Sequence, residues 1–401
     1  MSQRRIAYAA LVAALVLGGC SNAGSATTGA TDVPTLAGSA APGSAGVPGV
    51  PALRVQTVVG GLQNAWDLGF LPDGAMLVTE RPGRVQLVRG GVAAQVRMDL
   101  ADVYARGESG LMGLLVHPDF STSRRFSTCQ SHAENGSPVD IRVLTWTLSV
   151  DGTTADAAPQ PLVTGLPLNP SGRHSGCRLG LDPNGALMIA TGDTADPAAA
   201  QNLANLGGKT LRADLSTGAP LPGGPFPQAP YVWSYGHRNL QGLAVRPGTA
   251  QVFTAEHGPT VDDEVNLEVA GGNYGWDPSQ GGTVTRYDES VPMTDTARFP
   301  DAVPAVWSSG SPTEAVSGAA FLTGSQWGAL DGAIVVAALK GQKVLAMQLD
   351  AAGKLTGVVV PPELDGSLGR LRSVQQGPDG SLYLTTDNGS GDAVVRVTPA
   401  A

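Results

Sequence analysis

The chain has 401 residues, of which 42% are hydrophobic and 15% charged, with 54 Gly and 30 Pro. That composition can fill a large core and excludes pervasive disorder, collagen and a long coiled coil. With 25 Lys plus Arg against 34 Asp plus Glu the formal charge is −9, which argues against a nucleic-acid partner, since holding a phosphate backbone requires a basic patch.

The chain opens Met1-Ser2-Gln3-Arg4-Arg5, followed by an apolar run over residues 6–17 and then Gly18-Gly19-Cys20. The run is short for a membrane span but fits the middle of a secretory signal behind two positive charges. Leu17-Gly18-Gly19-Cys20 looks like a bacterial lipobox, so residues 1–19 are expected to be a lipoprotein signal and Cys20 the lipidated first residue of an exported protein, anchored on the extracytoplasmic face. Residues 20–51, rich in Gly, Ser, Ala, Thr and Pro, read as a flexible tether, because such a stretch cannot bury enough surface to offset chain entropy. The folded part is then 52–401. Cys129 and Cys177 remain; export permits them to pair as a disulfide, the alternative being two separate buried thiols.

One phrase recurs along the folded part. Leu71-Pro72-Asp73-Gly74 precedes a β run at Ala75, Asp182-Pro183-Asn184-Gly185 another at Ala186, and Gly377-Pro378-Asp379-Gly380 a third at Ser381, with a weaker copy at Arg246-Pro247-Gly248 and a further His117-Pro118-Asp119. Pro fixes φ, Asp or Asn bonds back to the backbone and Gly accepts positive φ, so each phrase predicts a tight turn between short strands. Capped amphipathic helices are scarce and no linker interrupts residues 52–401. Repeated four-stranded units over this length predict an all-β chain, a six-bladed β-propeller, in preference to two β-sandwiches.

Chemistry-bearing residues cluster in loops. Ser171-Gly172-Arg173-His174-Ser175-Gly176-Cys177-Arg178 sets an imidazole between two guanidiniums, which favours a neutral ring able to accept a proton; a hydrogen-bonded turn residue is the plainer reading. Ser234-Tyr235-Gly236-His237-Arg238-Asn239 offers donors for a carbonyl or oxyanion. Beyond it stand Glu256-His257-Gly258-Pro259, Asp262-Asp263-Glu264 and Gly271-Gly272-Asn273-Tyr274-Gly275-Trp276, whose carboxylates and loop carbonyls are hard oxygen donors that favour calcium over zinc or copper, or else a solvated acidic loop. Lys340, Arg370 and Arg372 come late; residues i and i+2 of a strand share a face, so the two guanidiniums could meet one anion such as a polycarboxylate, or be ordinary surface arginines.

Taken together, Gly110-Leu111-Met112-Gly113 through His117-Pro118-Asp119-Phe120, the Gly236-His237-Arg238-Asn239 loop, and Asp263-Glu264 through Asn273-Tyr274-Gly275-Trp276 resemble the soluble quinoprotein glucose/sorbosone dehydrogenase family over about residues 55–398. The resemblance implies a six-bladed propeller that uses pyrroloquinoline quinone (PQQ) and calcium to oxidise an aldose or related sugar to its lactone, passing electrons to an acceptor the sequence does not identify. It implies His174 as general base, Arg238 beside the reactive quinone carbonyl, and Asn239 as a cofactor contact. Lys340, Arg370 and Arg372 would be the cations for the quinone carboxylates, Trp307 would lie near its stacking stretch, and Gly258 and Pro259 would supply carbonyls to the calcium beneath it. Glu264 and Tyr274 correspond to a structural calcium site in some members. The chain departs from the pattern at Arg173, where sugar oxidisers place an acid, at Glu108, where some place a substrate-touching amide, and at Cys177, inside the catalytic loop. A reading of another class is a lipid-tethered propeller that binds a glycan or protein partner without redox chemistry.

Overall fold

The computed structural model describes residues 48–400; the signal, Cys20 and most of the tether lie outside the described residues. Among those described, no helix is long and apolar enough to cross a membrane. Strands dominate, interrupted by one α-helical turn at Phe120–Ser123 and two 3-10 turns at Ser325–Leu330 and Pro362–Leu364.

The strands form six antiparallel sheets. Blade one is Ala65–Phe70, Met76–Glu80, Arg84–Arg89 and Val92–Val96. Blade two is Leu111–Val116, Arg125–Glu134, Ser137–Leu148 and Val163–Leu166, with Ala155–Ala157 added as a fifth strand. Blade three is Gly176–Leu181, Leu187–Thr191, Lys209–Ala213 and Val232–Tyr235, and blade four is Leu240–Val245, Val252–Glu256, Glu264–Leu267 and Trp307–Ser308. Blade five is Val316–Phe321, Ile334–Ala338, Val344–Leu349 and Leu355–Val359. In blade six, Leu371–Gln376, Leu382–Thr386 and Asp392–Pro399 are completed by Leu53–Leu62, the first strand of the chain, which pairs antiparallel with the last. This is the expected six-bladed β-propeller, its ring closed by joining the two ends of the folded part.

The recurring phrase is the turn from the first to the second strand of a blade. Gly74 N–H bonds Leu71 C=O at 2.9 Å in blade one, Gly185 bonds Asp182 at 2.9 Å in blade three, and Gly380 bonds Gly377 at 2.9 Å in blade six. All three glycines have positive φ, which L side chains rarely adopt. In blade two the same place is filled by the short helix after His117-Pro118-Asp119, and in blade five by the 3-10 turn.

First strands line the ring and are almost wholly buried. They approach so closely that a side chain does not fit everywhere: a Cβ on Gly113 would lie 2.4 Å from the Cys177 carbonyl oxygen, and one on Gly242 2.3 Å from that of Ser317. The apolar cores lie between neighbouring blades. Between five and six, Leu322, Trp327, Val335, Leu371, Leu384 and Val395 pack together, each fully buried aliphatic contributing roughly 1.5–3 kcal/mol.

Topology places the candidate residues on one face. The turns just described are at one end of the first strands, so the residues entering a first strand and those leaving a second strand both lie at the other end. Glu108, His174, Arg238, Asn239 and Arg370 enter first strands; Gly258, Pro259 and Lys340 follow second strands.

Candidate active site

His174 stands in a tightly constrained turn. Its own φ is 49° and that of Cys177 is 68°, while the facing turn carries Thr194 at 56° and Ala195 at 53°. Such clusters of left-handed non-Gly residues persist only where the surroundings impose them. Here the surroundings are visible: a Cβ on Gly176 would sit 2.4 Å from Gly192 N, Ser175 Oγ meets Ser109 Oγ at 2.5 Å, and Cys177 is disulfide-bonded to Cys129 of blade two. The two cysteines are thus paired, and the bridge fixes the His174 turn to the neighbouring blade.

The ring of His174 is buried. Its Nδ1 lies 2.8 Å from Asp193 Oδ1, so with Nδ1 donating to the carboxylate, Nε2 is the nitrogen able to accept a proton. Asp193, fully buried at the end of the second strand of blade three, also accepts from Ala195 N–H at 2.8 Å, Trp276 Nε1–H at 2.8 Å and Tyr287 O–H at 2.5 Å. The two guanidiniums that flank His174 in sequence do not govern it. Arg178 turns into the ring, forming an ion pair with Asp67 at 2.6 Å over the face of Trp66 and donating to Gln241 C=O; Arg173 is engaged by Glu289. Arg173 stands in the turn before the first strand of blade three and Arg178 inside that strand, so the two reach different partners.

The other groups connect to this centre through named bonds. Asp193 N–H donates to Arg238 C=O at 2.7 Å. Arg238 is buried and donates to His257 C=O at 3.0 Å and to Glu289 at 2.7 Å, while its backbone N–H meets Glu256 Oε1. Asn239 Nδ2 donates to Glu108 Oε2 at 2.9 Å and its Oδ1 accepts from Gln241 Nε2 at 3.1 Å. Gln241 Oε1 in turn accepts from Arg372 at 3.1 Å. Arg372 and Arg370 do converge, on Asp387: Arg372 on its carboxylate at 2.7 and 3.0 Å, Arg370 Nε on its carbonyl at 3.1 Å. Burial would raise the Asp387 carboxyl, but Arg372, Asn64 and Arg370 hold it below the ordinary range. Lys340, exposed, donates to Thr313 Oγ1 at 3.1 Å, and Thr313 N–H reaches Thr260 C=O beside Pro259.

His257 ties the halves together. Burial first, then the charges of Arg372 and Arg238, push its imidazole well below the ordinary histidine range. Its Nε2 and the Nε of Arg238 are buried without a partner. Next to it, Gly258 N–H donates to Asp263 Oδ1 at 2.8 Å, and Asp263 Oδ2 takes Glu314 N–H at 2.7 Å. Asp263 is fully buried, its carboxyl pushed up to about 6 by burial against those backbone donors; the acidic trio is therefore a loop anchor at this position, not a solvated edge. Among the described residues the carbonyls of Gly258 and Pro259 accept no hydrogen bond, and a Cβ on Gly258 would lie 2.0 Å from Val261 C=O.

Trp307, Tyr274 and Glu264 lie outside the His174–Asp193 cluster. Trp307 is in the outermost strand of blade four, half-buried against the core shared with blade five, because its strand pairs it with Val265; the aromatic ring beneath the arginines is Trp66, 5.7 Å from Arg372 and 4.2 Å from Arg178. The Tyr274 hydroxyl donates to Leu267 C=O at 2.6 Å and its ring stacks on His237, so its side chain is not free to ligate. Glu264 is buried with Glu256, and burial and their mutual repulsion push its carboxyl up to about 8; beside them Asn266 Oδ1 is buried without a partner. A separate crevice of about 710 Å³, lined by Asp102, Tyr104 and Trp146 among others, opens on blade two and shares no residue with the His174 cluster.

Residues 62–396 match the family model Glucose / Sorbosone dehydrogenase, and the chain, a six-bladed propeller, belongs to that family. Among its relatives, the aldose sugar dehydrogenase YliI of Escherichia coli is 31% identical over 366 residues, covering 86% of this chain and 93% of that one. Of solved structures, the apo form of the soluble aldose sugar dehydrogenase of E. coli superposes with a TM-score of 0.73 at 30% identity, covering 87% of this chain and all of that one. The PQQ-bound aldose sugar dehydrogenase of Streptomyces coelicolor does so at 0.69 and 28% identity, covering 87% and 99%.

Proposed function

We propose that this chain is a PQQ- and calcium-dependent sugar dehydrogenase that oxidises an aldose, or a related sugar hydroxyl, to the lactone or carbonyl. The observation that carries the reading is the His174–Asp193 couple with Nε2 left as acceptor, joined to Arg238 by the bond from Asp193 N–H to the Arg238 carbonyl. The residues present fit the quinone. Four cations, Arg238, Lys340, Arg370 and Arg372, suit an anion with three carboxylates, and the unpartnered Nε–H of Arg238 is a donor awaiting an acceptor. They also fit a calcium ion held by the Gly258 and Pro259 carbonyls, hard oxygen donors in a loop whose Gly258 admits no Cβ. When bound, calcium-polarised PQQ supplies the two-electron acceptor for the hydride that leaves the sugar carbon.

The chain's own residues do the rest. His174 Nε2 takes the hydroxyl proton as the C–H bond breaks, and Asp193 fixes the tautomer and stabilises the imidazolium. Arg238 offers positive charge where negative charge develops on the acceptor oxygen. Glu108, tethered to Asn239, faces the substrate side, and Glu264 with the Tyr274 backbone is assigned to a second, structural cation. Cys20 is assigned to a lipid that holds the enzyme on the outer side of the cell membrane. Titrating the purified chain with PQQ and calcium, followed by dye reduction over a panel of aldoses, tests this: saturable binding with sugar-dependent dye reduction is expected, and binding without turnover on any sugar would favour a non-catalytic glycan- or protein-binding propeller.

A further inference from the structure

The segment 268–306 joins the third and fourth strands of blade four, a connection that starts at the end of the ring away from His174. Its middle nevertheless returns to the site face and delivers two side chains, two residues apart, onto the His174 turn. The Tyr287 hydroxyl donates to Asp193, and Arg173 Cζ lies 5.6 Å from the centre of the Tyr287 ring. Glu289 Oε1 accepts from Arg173 Nη2 at 2.9 Å and from Arg238 Nη2 at 2.7 Å. Burial opposes the charge on Glu289, but Arg238, Arg173 and the nearby His174 hold its carboxyl below the ordinary range.

Exposure divides this trio. The Arg238 side chain is 6% exposed, Glu289 42% and Arg173 47%, so Arg238 belongs to the floor and the other two to an accessible rim. Both guanidiniums share one oxygen of Glu289. Among the described residues Oε2 of Glu289 and Nε of Arg173 have no hydrogen bond, which leaves a carboxylate acceptor and a guanidinium donor side by side next to the base. Adjacent sugar hydroxyls, each both donor and acceptor, match that pairing. A carboxylate-bearing sugar matches it less well, since it would face the Glu289 carboxylate, to which both Arg173 and Arg238 already donate.

We propose that Glu289 and Arg173 form the hydroxyl-binding rim of the sugar site, holding hydroxyls next to the carbon that is oxidised and selecting a neutral sugar over one that carries a carboxylate. The identity of the ligand rests on the dehydrogenase reading above. The test compares wild type, E289Q, E289A and R173A, each loaded with PQQ and calcium, on a neutral aldohexose and the matching hexuronate, with saturation-transfer NMR of both sugars on the unloaded chains. In E289A the aldose KM rises roughly tenfold or more, as for loss of a hydrogen bond to a charged group, and by more than kcat falls. The aldose-to-uronate ratio of kcat/KM drops by a similar factor, because Arg173 and Arg238 are released to take the carboxylate. E289Q, which keeps an acceptor oxygen, lies between, and R173A raises KM for the aldose. An unchanged KM and ratio in E289A overturns the proposal, as does a fall in kcat alone, which would make Glu289 only a support for Arg238. If wild type turns over no sugar, the dehydrogenase reading fails and the NMR decides: an aldose signal lost in E289A upholds the rim, while an equal signal, or none in wild type, overturns it.

Discussion

Replacing Asp193 by Asn removes a charge while keeping the shape, and the four donors around the carboxylate make the outcome calculable. Oδ1 accepts from His174 and Ala195, Oδ2 from Trp276 and Tyr287. If the amide oxygen stays at the Oδ1 position, its NH₂ faces the indole N–H, which cannot turn to accept, and one buried donor is left unpaired at a cost of about 1–3 kcal/mol. If the amide flips, the NH₂ faces Ala195 N–H and donates to His174 Nδ1, which moves the ring proton to Nε2 and removes the acceptor that would take the substrate proton. A wrong tautomer of this kind costs on the order of 10²–10⁴ in rate. The assay is pre-steady-state and steady-state turnover of the PQQ- and calcium-loaded variant on an aldose, with PQQ affinity measured by titration and unfolding by urea in parallel. D193N is expected to lose at least about a hundredfold in kcat with PQQ affinity held within a few fold, and to unfold at lower urea. A D193N enzyme within threefold of wild type in kcat would refute the assignment of His174 and Asp193 as a proton-accepting couple.

The disulfide closes a loop with a sequence separation of 48, for which loop-closure entropy gives about 4 kcal/mol; a C129S/C177S chain should lose most of that in unfolding free energy measured by urea titration, and a loss below about 1 kcal/mol would show that blade packing alone fixes the His174 turn. G258V should weaken calcium-dependent PQQ binding by tenfold or more, because its side chain cannot enter the space 2.0 Å from the Val261 carbonyl without moving the loop; unaltered binding by titration would remove that carbonyl from the metal site. His117 is buried against Ser127, and burial, then Arg125, lower its imidazole to about 4. The folded state therefore binds fewer protons than the unfolded state between about 6.5 and 4, and stability falls as pH falls through that window, by at most about 3 kcal/mol from this group. Urea unfolding of wild type and H117N at pH 7 and pH 4.5 should show a smaller acid loss in the variant, and equal losses would place the acid sensitivity elsewhere.

The architecture was legible because one local device repeats. A Pro-Asp-Gly or Pro-Asn-Gly turn needs only its own backbone preferences, and in this chain it marks the end of first strands in blades one, three and six. Closure by Leu53–Leu62 was not legible, since that strand carries no mark of its partner at the far end of the chain. His174, Arg238, Asn239, Arg370 and Arg372 stand in dense polar loops, which is what made them candidates in the sequence. Asp193, Tyr287, Glu289 and Asp387 were missed for a physical reason: each acts across blades or from the end of a second strand, where a lone acid after an apolar run looks like any strand end. The Ala190-Thr191-Gly192-Asp193 stretch was available as a signal, because a carboxylate leaving the second strand lies beside the residue entering the first. Trp307 stands in a blade whose last strand is only two residues long, too short for its register to be read from sequence.

A circle fastened by its own two ends sets an order on biogenesis. Arg372 and Asp387 belong to the sheet that Leu53–Leu62 completes, so a nascent chain still lacking Asp392–Pro399 has no clasp. The sheet that carries this pair stays incomplete until translation is nearly finished, and only a finished ring seals it.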